Sequence, residues 1–371
     1  MGKSKILKDK IEVTSYVPFI LSGQYGDLEE GAIVSFLTNE LSLTSRLKVF
    51  EREKFKVKIN GKVENYKFHD LKNNQKGTLK SLLYGVYDLL DSNVKIEQFY
   101  GFILEVNTNI TSGWELNLLI NIFKSINIIY GLEYDDFALA RLVFEVYNKY
   151  FGKTYPLLNI MSYFQKDVTH MVLRNNHLTI ESAENVFDRY GFLMFEDGIP
   201  QSFEQQNINF DSEYAIFNKL KTFFNKKLSE ITLNELFMYI YSPNSIFNDS
   251  EKLVITHFYE ETKRTRQILE SFKDKEVTTK LFDNMNMSFV ELGAYFGFNR
   301  INKFLEVSVI KASFKKQCAL TLLNEQNFNK FVFTILKEDV HDLFEYLKGY
   351  KFFSIKSLSI NKEGIQIYQI L

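Results

Sequence analysis

N-I-T-S-G-W-E-L-N-L-L-I, residues 109–120, is the stretch on which the reading of this chain turns. Gly113 precedes Leu116, Leu118, Leu119 and Ile122, and the apolar spacing continues as far as Ile129. That pattern predicts a loop turning into a helix with a broad core face. The head of a helix behind small residues can hold phosphate, because bare N–H groups point outward there and nothing blocks the anion's approach. Here the residues after the glycine are a bulky Trp114, an acidic Glu115 and then Asn117. Core packing, with Trp114 as a plug, is the simplest use of such a segment.

Working outward, residues 101–108 read as a short apolar strand, and Leu79 to Leu90 carry apolar residues at helical spacing. Phe55, Val57 and Ile59 alternate with Lys56 and Lys58 as a half-buried strand does, and Asn60-Gly61 reads as a hairpin turn. Val13, Val17, Ile33, Val34 and Phe36 mark further strand. Downstream, Tyr134–Tyr150 opens on Asp135 and Asp136, which suit a helix N-terminus. A turn at Gly152 and Pro156 leads to another helix and then to strand His170–Leu173. Periodicity is poor over 186–212, where Gly191, Gly198 and Pro200 fall. The expected boundary lies there, giving lobes 1–190 and 191–371. The second lobe reads as helices at 212–226, 232–241, 250–272 and 278–295, strand Phe331–Leu336, helix 338–347 and short terminal strands. Strands and helices mix without a βαβ rhythm, so the fold class is α+β in two lobes.

The 371 residues are 45% hydrophobic and 25% charged, with a net charge of −1. No global field draws nucleic acid or an anionic membrane, and neither is expected as a partner. With Cys318 as the only cysteine, no intrachain disulfide forms. No signal core or membrane span is legible, so the expected location is cytoplasmic. The five histidines lack metal-ligand spacing and no metal is expected. Lys263, Arg264 and Arg266 read as a solvated helix face with Glu260, Glu261 and Glu270 nearby.

Several strings in order resemble the galactokinase branch of the GHMP small-molecule kinases, over essentially the whole chain. The family's A-P-G-R-V-N-L-I-G-E-H-T-D-Y-N-G-G, a loop that holds the sugar, falls on S-Y-V-P-F-I-L-S-G-Q-Y-G-D-L-E-E-G at 15–31. Leu21, Gly23, Asp27 and Gly31 match, while Pro18, Gln24 and Tyr25 replace the family's Arg, Glu and His. Its phosphate loop, N-I-P-x-G-A-G-L-S-S-S-A, aligns without a gap on 109–120. D-S-E-Y at Asp211–Tyr214 resembles the S-E-Y before the family's paired arginines, which are absent. E-E-T-K-R-T-R at 260–266 resembles the helix with the family's E-x-x-R run. The glycine-rich T-G-G-G-F-G-G-C falls on N-E-Q-N-F-N-K-F at 324–331, where only Phe328 survives.

The resemblance implies a two-lobed GHMP-kinase-like fold, with an N-terminal lobe like domain 2 of ribosomal protein S5 and a ferredoxin-like C-terminal lobe. It also implies that the catalytic machinery is gone. In one register the family's catalytic aspartate falls on Asn159, in another on Ser162, and its arginine on Pro18. Of the nucleotide loop only Gly113 remains. Asp27, Tyr214 and Gln24 are the candidate sugar-binding residues, as hydroxyl partners. The alternative for Asp27 is a turn cap, and for Tyr214 packing at a helix start. The expectation is a galactokinase-like protein without catalysis, in a binding or regulatory role that includes sensing a hexose such as galactose, or acting on a protein partner. No cofactor is expected. A divergent active sugar kinase, which would need ATP and Mg²⁺, and an interaction protein with a filled cleft stay open.

Overall fold

The computed structural model describes residues 10–23, 29–49, 54–72, 75–90, 101–111, 113–152, 154–183, 188–196, 211–274, 278–296, 304–324, 329–352 and 354–369. The chain begins with two long strands, β1 (Lys10–Ser22) and β2 (Gly31–Val49), and the hairpin β3 (Lys54–Ile59) and β4 (Lys62–Lys67). The hairpin turn is Asn60-Gly61, with φ of 45° and 90°, as a two-residue turn between twisted strands requires. Helices α1 (Phe68–Lys72) and α2 (Leu79–Leu89) follow. Thr78 caps α2, its hydroxyl accepting from Ser81 N–H while Ser81 Oγ accepts from Thr78 N–H, both at 3.2 Å.

Next come β5 (Phe102–Thr108), α3 (Glu115–Tyr130), α4 (Asp136–Val146) and α5 (Leu157–Met161). The helix expected over 134–150 is α only to Val146. Tyr147–Phe151 form a π turn that ends on Gly152 at φ 75°. Asn148 fixes that end, its side chain accepting from Tyr155 N–H at 2.7 Å and donating to Tyr155 O at 3.2 Å.

The remaining elements are β6 (Val168–Arg174), β7 (His177–Ala183), β8 (Tyr190–Glu196), α6 (Asp211–Phe224), α7 (Leu233–Ile240), α8 (Asp249–Lys273), α9 (Thr278–Phe296) and α10 (Phe304–Ser313). After them come β9 (Cys318–Leu322), β10 (Lys330–Leu336), α11 (Val340–Lys348), β11 (Ser354–Leu358) and β12 (Gln366–Gln369). Among the described residues no helix is long and apolar enough to cross a membrane.

Two compact units emerge. The first comprises residues 1–17, 38–165 and 361–371; the second comprises 18–37 and 166–360. This division differs from a single boundary at 190. It cuts β1 and β2 in mid-strand, and a strand shared by two units leaves no break in composition to read.

In the first unit the sheet order is β12-β1-β2-β5-β3-β4, with β3 and β5 parallel. Helix α3 is buried on nearly every side, from Glu115 through Phe123. In the second unit residues 31–35 of β2 pair with β6, which forms a hairpin with β7. A separate antiparallel sheet runs β11-β8-β10-β9. Counting its strands from β8 gives the order 4-1-3-2, with helices between the first and second and between the third and fourth. That is the ferredoxin-like arrangement. Phe195, Phe331 and Phe333 of this sheet pack with Phe289, Leu220 and Leu343 from the surrounding helices.

Candidate functional site

In the first unit the aligned phosphate-loop segment sits at the head of α3. Gly113 adopts φ 72°, a conformation that suits glycine, and Trp114 opens the helix without a capping side chain. Glu115 stands in the first turn and is 4% exposed. Its carboxylate therefore lies where the partial positive charge of the helix end is strongest. Asn117 replaces the first hydroxyl of the family's serine run. Its amide donates to Ser15 Oγ at 3.0 Å and to Tyr16 O at 3.2 Å. One turn on, the amide of Asn121 donates to Val13 O at 2.9 Å and Leu43 O at 3.0 Å. Both asparagines tie the helix to strand backbone.

The two candidate positions for the family's aspartate lie on and just after α5. Asn159 and Ser162 are both buried, and Ser162 Oγ donates to Asn159 O at 2.6 Å. Neither is a carboxylate, and the serine hydroxyl is spent on the helix end.

In the second unit, the end of β1 is held on every side. Asn324 Nδ2 donates to Pro18 O at 2.8 Å, and Ile20 N–H donates to Leu323 O at 2.9 Å. Pro18 thus keeps a backbone role where the family has a charged side chain. Glu261 Oε1 then accepts Ser22 Oγ–H at 2.5 Å, Gly23 N–H at 2.8 Å and Ser288 Oγ–H at 2.5 Å. Glu30, near the end of the aligned sugar loop, accepts Ser229 N–H and Ser229 Oγ–H, each at 3.0 Å. Carboxylates thus anchor the described chain on both sides of residues 24–28. Gln24 and Asp27 lie outside the described residues. Tyr214 is buried in the core of this unit, its ring 6.4 Å from that of Phe217.

Glu261 belongs to a charged cluster that corrects the solvated-face expectation for 260–266. Arg264 is 7% exposed; its guanidinium pairs with Glu261 and makes two bonds to Glu291, at 3.0 and 2.7 Å. His257 Nδ1 meets Glu291 Oε2 at 3.1 Å. Only Lys263 and Arg266 of that basic run are exposed; Arg266 pairs with Glu181 and Glu270. The signal that could have revealed the cluster is periodicity. His257, Glu261 and Arg264 fall at i, i+4 and i+7, in the stripe that holds Val254, Phe258 and Ile268.

Burial by itself pushes the Glu261 carboxyl up, but His257, Arg264 and the hydroxyls of Ser22 and Ser288 outweigh it and hold it below its ordinary value. Glu291 is likewise raised by burial and lowered further by His257 and Arg264. Ligand atoms of His257, Glu261 and Glu291 lie within 4.8 Å of one another, a spacing a metal ion could use. The guanidinium of Arg264 already supplies the cation between the two carboxylates.

The glycine-rich segment of the family is also filled with side chains here. Lys330 is fully buried and its Nζ sits 3.1 Å from Glu196 Oε1, which also accepts from Asn329 Nδ2 at 3.2 Å. Positions 325–328, Phe328 among them, lie outside the described residues. Burial raises the thiol of Cys318 to about 11, so it is a protonated core residue at neutral pH.

No protein-family model and no curated protein matches the sequence. Solved structures do match. Galactokinase of Lactococcus lactis in complex with galactose superposes with a TM-score of 0.80 at 15% identity, covering 98% of this chain and 96% of that one. Mevalonate diphosphate decarboxylase of Staphylococcus aureus gives 0.62 at 8% identity, covering 97% and 98%. Mevalonate kinase of Methanococcus jannaschii gives 0.58 at 14% identity, covering 94% and 98%. The chain has the fold of galactokinase and the other GHMP kinases.

Proposed function

We propose that this chain is a galactokinase-like protein that binds rather than phosphorylates, and that its ligand is a hexose such as galactose. The observation that carries this reading is the state of α3. Phosphoryl transfer depends on positioning and charge neutralisation at an open, small-residue helix end. Here a buried carboxylate, Glu115, stands at that end, and the next polar residue, Asn117, is committed to Ser15 and Tyr16.

A nucleoside triphosphate with its Mg²⁺ does not fit those residues. A phosphate charge about 4 Å from Glu115 would be repelled by on the order of 4 kcal/mol at an effective dielectric near 20. No carboxylate stands at Asn159 or Ser162 to take the hydroxyl proton, a loss worth about 10²–10⁴ in rate. Support for the sugar comes from the sequence likeness of residues 15–31 and from the galactose complex of the Lactococcus enzyme. A binding protein with these properties acts on other molecules through its occupied state, which makes a regulatory role the natural one.

Calorimetric titration with galactose and with ATP–Mg²⁺, alongside a turnover assay, tests the reading. We expect heat with galactose, none with ATP–Mg²⁺, and no sugar phosphate. Steady formation of a hexose 1-phosphate by purified protein would refute it. Silence toward both ligands would remove the sugar and leave an interaction protein.

A further inference from the structure

Helix α7 is apolar on faces that point to water. Only Asn234 and Glu235 of its eight residues are polar, yet only Leu236 and Ile240 are buried. A short helix with apolar residues all round normally lies inside a core. Here Phe237, Met238 and Tyr239 are all exposed, Met238 at 73%. Of the sixteen large apolar side chains exposed among the described residues, eight fall between Phe223 and Leu253.

These side chains form a continuous surface within the second unit. On one flank Phe223 packs against Tyr239 (6.1 Å between ring centroids) and Phe247 (5.9 Å), next to exposed Ile246. On the other flank Phe237 stacks on Tyr241 at 5.8 Å and 21°. Tyr241 Oη meets Thr256 Oγ1 at 2.7 Å, one turn along α8 from exposed Leu253. Met238 stands between the flanks. Ion pairs frame the surface: Lys219 with Glu251 at 2.8 Å and Lys226 with Glu235 at 2.6 Å.

Four half-exposed aromatics contribute about 400 Å² of apolar surface, and the four aliphatic side chains contribute about as much again. The total, roughly 800 Å², exceeds the largest apolar patch of a typical monomer. It equals what each partner buries in a standard stable interface. Tyr, Phe and Met at the centre with a polar rim is also interface composition.

We propose that this α7 ridge is a homodimer interface, covered by the same ridge of a second copy of the chain. Area and charge both suit that occupant. The framing lysines and glutamates neutralise one another, so the surface offers no net charge to recognise an acidic or basic partner. An isologous contact places the surface against itself, and a neutral surface meets no like-charge penalty there. The inference is independent of whether the protein binds a sugar.

Sedimentation velocity of the full chain between about 1 and 100 µM decides the matter. The wild type is expected at the mass of two chains. Met238→Glu places a charge at the centre of the buried surface and is expected to weaken dimerisation about 30-fold or more. Leu305→Glu, at a comparably exposed position on α10, is expected to leave the dimer intact. Circular dichroism and a thermal melt check that each variant is folded, and Leu253→Lys, on the neighbouring helix, repeats the test should Met238→Glu fail to fold. A wild type that stays monomeric overturns the proposal, and so does a dimer indifferent to both ridge variants. Equal weakening by Leu305→Glu also overturns it.

Discussion

Glu261 Oε1 accepts the backbone N–H of Gly23 at 2.8 Å, a bond that joins residues 238 apart in sequence. The strand has just ended there, so this N–H has no sheet partner, and the carboxylate of α8 takes that place. The same oxygen holds Ser22 and Ser288, and the other oxygen holds Arg264. Removing it leaves a buried guanidinium and a buried amide short of an acceptor. Glu261→Ala is expected to destabilise the protein by about 3–5 kcal/mol, the usual result of breaking a buried ion pair from one side. Urea unfolding measures it. A loss under about 1 kcal/mol would mean that water replaces the carboxylate and that the anchor is not structural.

Acid should lower the stability through two kinds of buried group. His170 is buried beside Thr265, and that burial holds its pKa below the ordinary 6.5. Unfolded, it takes up a proton first, so its contribution is intact above pH 6.5 and is lost as pH falls below it. Glu261 and Glu291 also titrate below their ordinary 4.5 when folded. Their contribution is full above pH 4.5 and is lost as pH falls from there toward the folded values. His170→Gln should flatten the slope of stability just below pH 6.5 and leave the contribution of the two glutamates in place. Chemical denaturation at a series of pH values separates the two, and an unchanged upper slope would count against the assignment.

Gly23 and Gly61 offer a paired test of backbone strain. Both have φ of 90°, which a side chain disfavours. A Cβ on Gly61 would meet nothing within 4 Å, whereas one on Gly23 would lie 2.1 Å from Ala32 O and 2.6 Å from Ile33 Cα. Gly61→Ala should therefore cost about 1 kcal/mol. Gly23→Ala should cost about 3 kcal/mol or more, because the obstruction is backbone in a paired strand and cannot move aside. Melting temperatures of the two variants compare them directly. Equal values would show that the end of β1 shifts freely.

The legible parts of this fold were those written in local pattern. The alternation of Phe55 and Val57, the Asn60-Gly61 turn and the apolar face of α3 follow from periods of two and three to four residues. The ferredoxin-like sheet order is not local, and it came instead from the likeness to a known family. Two things escaped. The division between the units passes through β1 and β2, where no change of composition marks it. Sequence alone reads Arg264 and Glu261 as solvated because charged residues usually are. Their helical positions beside Val254 and Ile268 pointed inward all along, but burial of a charge depends on a partner, and Glu291 comes from a different helix.

Asn117 tests the central claim about α3 most directly. It stands where the family has a serine, so Asn117→Ser returns one small hydroxyl to the aligned loop. If the amide alone kept nucleotide out, this change would restore some binding of ATP–Mg²⁺. The structure gives the amide a different task, since it satisfies Tyr16 O and Ser15 Oγ in the core of the first unit. A serine is too short to reach both. Its hydroxyl leaves at least one buried partner unsatisfied, at about 1–3 kcal/mol. The carboxylate of Glu115 meanwhile stays at the helix head. The expected outcome is a less stable protein with no heat of nucleotide binding. Measurable heat from Asn117→Ser would locate the barrier in the amide and clear Glu115 of it.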